Sequence, residues 1–295
     1  MRKLLSYILV AGLCTPAFVL AASPRAEAKS KKPKVLQVQT DTAPTPTNPS
    51  TEIPGEPQKS DLTLVAPVAV AQMGPELALQ IYERRTAWQA ASLASYSANT
   101  VYEAELPDQS QKGRYELQRT YSAPHTLKFK AVNFTGDGFV KSNVIHRLLQ
   151  SEVDHVEKEQ GPDTAITSRN YKFNYKGVKE IDGRQVHVFE AKPREKRVGL
   201  FKGKIYIDTL TGSLRRAEGQ AVKSPSFFVK KIEFTTDYAD FGTFTFPVKL
   251  HSTAKTRLVG RAVVDVSISE YQPQAVSVEA AGPVVPAPPP GVNQP

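Results

Sequence analysis

Along much of the chain, apolar and polar residues alternate one for one. Tyr102, Ala104 and Leu106 are interleaved with Glu103 and Glu105; Tyr115, Leu117 and Tyr121 are interleaved with Glu116, Gln118 and Thr120. The same beat recurs at Leu127, Phe129 and Ala131; at Tyr171, Phe173 and Tyr175; at Ile205 and Ile207; and at Ile232 and Phe234. It returns at Phe244, Phe246, Val248 and Leu250, and at Val264, Val266 and Ile268. A period of two puts one face of each strand in the core and the other in water, the habit of antiparallel sheets. Asp182-Gly183, Thr211-Gly212 and Asp240-Phe241-Gly242 supply turn residues between the runs.

Two stretches keep a helical period instead. Pro75 to Ser95 opens with a proline suited to a first helical turn and a glutamate near its positive end, and Leu77, Ile81, Trp88 and Ala91 form its expected apolar stripe, interrupted by Arg84. From Ser142, read as an N-cap, to Val156, the residues Ile145, Leu148, Leu149, Val153 and Val156 share a face. The predicted order is helix, three strands, helix and a long antiparallel meander. The fold class is α+β: a large curved antiparallel sheet with two helices covering its apolar face, since nothing else is available to cover it.

The ends of the chain follow other rules. Arg2 and Lys3, the apolar run Leu4 to Leu20 and the small residues after it form an export signal over residues 1–28, with cleavage expected after Ala21 or Ala28. Residues 29–74 read as a disordered Pro/Thr-rich linker, residues 75–273 as the folded domain, and residues 274–295 as a disordered proline-rich tail, with six prolines between Gly282 and Pro295. The expected location is the periplasm of a bacterial envelope. The single cysteine, Cys14, lies inside the signal and is preceded by Leu13, which does not suit lipid attachment. Cleavage removes it, so the mature chain has neither a disulfide nor a thiolate metal site.

Charge adds a direction. The sequence has 38 Lys and Arg against 29 Asp and Glu, a net charge of +9. Eleven of those basic residues, against three acidic ones, lie between Lys192 and Lys231. Three readings stay open. The segment is the wet face of a sheet that lysines keep from edge pairing, a contact for an anionic envelope surface, or a nucleic-acid contact, against which export argues. The turn from Pro193 to Phe201 draws notice for its apolar end, Leu200 and Phe201, and the expected surface contacts are Arg194, Lys196, Arg197, Phe201 and Lys202.

No nucleophile elbow, phosphate-binding loop or His-Glu-x-x-His helix occurs. His146 and His155 are nine residues apart, and His155 lies among Glu152, Asp154 and Glu157, where a solvated acidic helix end outweighs a cation site. No catalytic residue, cofactor or metal is assigned. The inward aromatic residues Trp88, Phe129, Phe173, Phe234, Phe244 and Phe246 are the candidate lining of an apolar concavity, because two helices cover a sheet of this size incompletely.

The arrangement as a whole resembles the LolA/LolB-like superfamily of periplasmic lipoprotein-sorting proteins, with the related RseB/MucB-type regulators. The resemblance rests on the element order and on strand-like strings such as Gly199-Leu200-Phe201-Lys202-Gly203-Lys204-Ile205-Tyr206-Ile207-Asp208 and Arg216-Ala217-Glu218-Gly219. It implies an unclosed β-barrel with helices as a lid over a cavity for acyl chains, and neither catalysis nor a cofactor. The expected function is then to bind a lipid or an acylated protein in the concavity, with an anionic membrane surface as a further contact. The alternatives are a regulatory or assembly module that binds another envelope protein, and a hydrolase with an unrecognised site.

Overall fold

The computed structural model describes residues 72–276. The expected export signal, nearly all of the 29–74 segment and residues 277–295 lie outside the described residues. Helix α1 (Pro75–Ser92) leads into β1 (Leu93–Leu106), β2 (Gln111–Ser122) and β3 (Thr126–Gly136). A helical segment follows, made of α2 (Gly138–Val140), a π-helical turn (Lys141–Ile145), α3 (His146–Glu157) and the short α4 (Gly161–Thr164). The remaining strands are β4 (Tyr171–Ile181), β5 (Arg184–Pro193), β6 (Phe201–Asp208), β7 (Leu214–Ala221), β8 (Val229–Phe241), β9 (Phe244–Thr256) and β10 (Arg261–Ala275).

All ten strands form one antiparallel sheet in the order β3-β2-β1-β10-β9-β8-β7-β6-β5-β4. The order starts at β3 and stops at β4, so the barrel is not closed, in agreement with the expected fold class. Every neighbour but one is also a neighbour in sequence. The exception, β1 beside β10, joins the first three strands to the meander. Each strand read from alternation is present. Two that alternation did not reveal are β5 and β7. Val186, His187, Val188 and Phe189 of β5 are all buried, because a small outer cluster of Val186, Val188 and Tyr206 covers its second face, and a strand buried on both faces shows no alternation. In β7 only Leu214 and Ala217 are buried.

β6 and β7 approach each other closely at one pair of glycines. Gly203 and Gly219 pair there, and a Cβ on Gly203 would stand 1.9 Å from the Glu218 carbonyl oxygen. The two backbones come too close for any side chain, and the Phe201 ring lies against Gly219 instead.

Two expectations about the helices need correction. α1 buries Ala78, Tyr82 and Ala90, whereas Leu77, Trp88 and Ala91 of the expected stripe face solvent. The helix lies across turns and strand ends that present polar backbone, so polar side chains make its inner contacts. The Tyr82 hydroxyl donates to the Ile166 carbonyl (2.9 Å), and Gln89 exchanges two hydrogen bonds with the Thr245 backbone (3.0 and 2.7 Å). The second helical segment begins at Gly138, not at Ser142, although its expected face (Ile145, Leu148 and Leu149, with Val153 and Val156 partly buried) does pack on the sheet. β10 also runs two residues into the stretch assigned to the tail.

Candidate functional site

The concave face of the sheet is built by inward positions of its central strands: Tyr96 and Tyr102 on β1, Leu117 and Tyr121 on β2, Phe246 and Leu250 on β9, Val266 and Ile268 on β10. A register shift in β1–β10 pairing, with Glu270 at φ +57°, turns Tyr271 inward as well. The rings of Tyr271 and Phe246 stack at 4.4 Å, and Tyr96 lies 5.4 Å from Tyr121 and 5.2 Å from Phe246. The aromatic residues of the interior therefore pack on one another.

Over this face lies α3, and its attachment is polar. Arg119 on β2 forms an ion pair with Glu152 on α3 at 2.8 Å, with side chains only 7% and 4% exposed. The Tyr102 hydroxyl donates to Glu152 Oε1, and Arg119 Nε donates to the Tyr96 hydroxyl at 3.0 Å. The guanidinium also lies over the Phe129 ring, 5.4 Å from its centre. Burial works against the Arg119 charge, yet Glu152 and the surrounding tyrosine hydroxyls hold its pKa well above the ordinary value. Removing two charges from water is costly unless both stay paired and hydrogen-bonded, so this constellation sets one position for α3 on the sheet.

The same burial raises the pKa of Tyr96, Tyr102 and Tyr271, aided at Tyr102 by the Glu152 carboxylate, and pushes Tyr121 up to about 12. The folded chain keeps protons that the unfolded chain releases near the ordinary tyrosine value of 10.0. Stability is then complete below about pH 10 and falls as the pH rises toward about 12. Urea midpoints measured across that range are expected to decline; a flat profile would mean that these hydroxyls are solvated in the folded state.

A second polar cluster closes the far side, beneath α1. Asp240 accepts from Arg215 Nη2 (2.7 Å), Thr245 Oγ1 (2.7 Å) and Ser213 Oγ (3.0 Å), and Arg215 Nε donates to Asp208 at 3.1 Å. Burial opposes ionisation of Asp208, but the amides of Leu210 and Thr211, with Arg215, hold its carboxyl below the usual range. The cleft left between α1 and this cluster, lined by Tyr82, Gln89, Ile166, Leu214 and Tyr238 among others, has a volume of only ≈ 50 Å³.

The candidate lining residues do not surround that cleft. Phe234, Phe244 and Phe246 are buried in the core, with Phe234 edge-on to Phe201 at 5.0 Å. Phe129 and Phe173 are partly buried toward the two edges of the sheet, and Trp88 is 44% exposed with its ring 5.2 Å from Phe244. Those on the sheet are spread from one edge strand, β3, to the other, β4, while Trp88 sits on α1.

The basic turn also needs correction. Leu200 and Phe201 are fully buried, since Phe201 points inward with its parity on β6, so neither forms an exposed tip. Arg194 Nε donates to the Ser168 carbonyl (2.8 Å), and Arg197 is held by Asn170 Oδ1 (3.1 Å) and Glu195 (3.2 Å); both tie the turn to its neighbours. Lys196 and Lys202 are exposed and line an outer groove of ≈ 750 Å³ with Lys176, Lys204 and Glu190. Glu152, considered with His155, is committed to Arg119 and Tyr102. Among the described residues no group of three or more His, Cys, Asp or Glu is placed to hold a metal.

Arg119 and its pairing with Glu152 escaped the sequence reading, but a signal was there. Arg119 occupies an inward parity position between Leu117 and Tyr121, and Glu152 falls on the apolar face of α3 beside Leu149 and Val153. Opposite charges on the buried faces of two elements point to each other.

No family model and no curated protein matches the sequence. Solved structures do. A LolA superfamily protein from Nitrosomonas europaea is 11% identical, with a TM-score of 0.33, over 68% of this chain and 94% of that one. A DUF1329 family protein from Desulfovibrio piger is 10% identical, with a TM-score of 0.36, over 67% and 92%. In the MucA/MucB complex of Pseudomonas aeruginosa the matching chain is 10% identical, with a TM-score of 0.23, over 68% and 100%.

Proposed function

We propose that this is an exported protein of the bacterial envelope, working in the periplasm, that binds a lipid or an acylated protein between α3 and the concave face of its sheet, without catalysis. The observation that carries this reading is the way α3 is held. Its apolar face covers an apolar sheet, yet its central attachment is the Arg119–Glu152 pair, and it springs from a π-helical turn behind Gly136 and Gly138. Breaking an apolar seam exposes hydrocarbon to water at full cost. Breaking a buried ion pair returns two charges to water, which recovers the desolvation penalty. A helix held this way lifts more readily, and an acyl chain then replaces the contacts of Leu148 and Leu149. Single π-helical turns often mark such functional positions.

The test is uptake of a fluorescent fatty acid by the mature chain. Saturable uptake, with release to phospholipid vesicles, is expected. Absence of saturable uptake, together with a native mass spectrum of the protein from its envelope that shows a protein partner and no lipid, would sink the reading in favour of a regulatory module.

A further inference from the structure

The turns β1–β2, β5–β6, β7–β8 and β9–β10 gather at one end of the sheet. Hydrogen bonds tie them into one rim. Arg257 N donates to the Phe228 carbonyl (2.8 Å) and Arg257 Nε to the Phe227 carbonyl (3.0 Å), which joins the β7–β8 and β9–β10 turns. Val222 N donates to the Leu200 carbonyl (3.0 Å), and Arg261 N to Asp108 Oδ2 (3.0 Å), which brings in the other two. Gly260, at φ +70°, leaves the space that Asp108 occupies.

This rim presents apolar side chains outward. Phe227 is 74% exposed, Leu258 51% and Val198 43%. Single exposed apolar residues are ordinary; the company of these is not. Residues 222–231 and 256–261 contain five basic residues, Lys223, Lys230, Lys231, Arg257 and Arg261, and no acidic one. The Arg257 guanidinium lies over the Phe227 ring at 4.4 Å, so charge and aromatic face are presented together. The opposite end of the sheet also exposes an apolar residue, Leu210, but beside Asp208, whose Oδ1 accepts from its amide.

We infer that the rim formed by Phe227 and Leu258, with its basic collar, is where this protein docks on an anionic lipid bilayer. Three side chains on the tips of turns make too small and too convex a patch for a stable protein interface, which needs roughly 1,000 Å² of complementary surface. A bilayer needs no complementary shape. It takes aromatic and aliphatic tips into its headgroup boundary while lysines and arginines meet anionic headgroups. The contact expected at Phe201 is thereby moved to Phe227, which projects where Phe201 is buried. This inference does not depend on acyl-chain binding in the concavity.

Co-sedimentation of the mature chain with vesicles tests it. Binding is expected to vesicles of phosphatidylcholine with phosphatidylglycerol and not to phosphatidylcholine alone, and to weaken as salt is raised. The double variant Phe227→Ser, Leu258→Ser should lose at least about tenfold in affinity, with an unchanged melting temperature because both side chains are exposed. Arg257→Gln should weaken binding to the anionic vesicles alone. Absence of wild-type binding, or wild-type affinity in the double variant, overturns the proposal. So does recovery of an envelope protein on the tip without vesicle binding. Fatty-acid uptake measured on the same variants keeps the two readings apart: it should be unaffected by the tip, and its failure in the wild type would leave vesicle docking standing.

Discussion

Glu152→Ala is expected to cost about 3–5 kcal/mol of stability, because it leaves the Arg119 guanidinium buried without a counter-charge. The burden falls on one residue: Arg119 would keep the Tyr96 hydroxyl and the Phe129 ring, neither of which offsets a full charge out of water. Tyr102 would also lose the carboxylate that accepts its hydroxyl. Replacing both partners with apolar residues, Arg119→Met with Glu152→Leu, should behave differently, from neutral to about 1–4 kcal/mol more stable. Urea unfolding of the wild type, Arg119→Met, Glu152→Leu and the double variant gives the full cycle, with Glu152→Ala measured beside it. If Glu152→Ala costs less than about 1 kcal/mol, the pair is solvated and α3 is held by something else. The cycle also bears on function. A double variant that folds well but takes up a fatty-acid probe more slowly is expected if lifting α3 depends on returning the two charges to water.

Phe246→Ala is expected to cost about 3–5 kcal/mol. Phe246 is fully buried, stacks on Tyr271, and touches the rings of Tyr96, Phe241 and Phe244. Truncation leaves a cavity that strands on both sides cannot close without breaking their register. Trp88→Ala, half exposed on α1, should cost much less despite removing the larger ring. Thermal melts of the two variants decide the matter: a Phe246→Ala protein within about 1 kcal/mol of the wild type would mean that the ring borders empty space, as a preformed ligand pocket requires. The expected large loss assigns Phe246 to the core. Any acyl chain must then enter between α3 and the aromatic layer, not through it.

Much of the fold was legible in residue order. Alternation located eight of the ten strands because each of those has one wet face, and two helical segments were found because each buries part of one side. β5 was hidden because it is buried on both faces, and β7 because few of its residues are buried at all. The rotation of α1 could not be read, since its inner face is polar and matches hydrogen-bonding groups on distant strands such as Thr245. Phe234, Phe244 and Phe246 face inward as their parity indicates, whereas Tyr175 on β4 is 44% exposed; inward-facing residues can fill a core or line a hole, and only packing separates the two.

By itself, then, the sequence determined the α+β class, the antiparallel pairing habit and the inward parity of the strands, all local properties of a pleated backbone with period-two burial. The tertiary structure alone decided which inward residues touch. It placed Arg119 against Glu152, 33 positions away along the chain, buried Phe201 against Phe234, and left Phe227 in water. The physical reason is that parity assigns a residue to a face, whereas the curvature of the sheet and the seating of the helices decide how much of that face is covered.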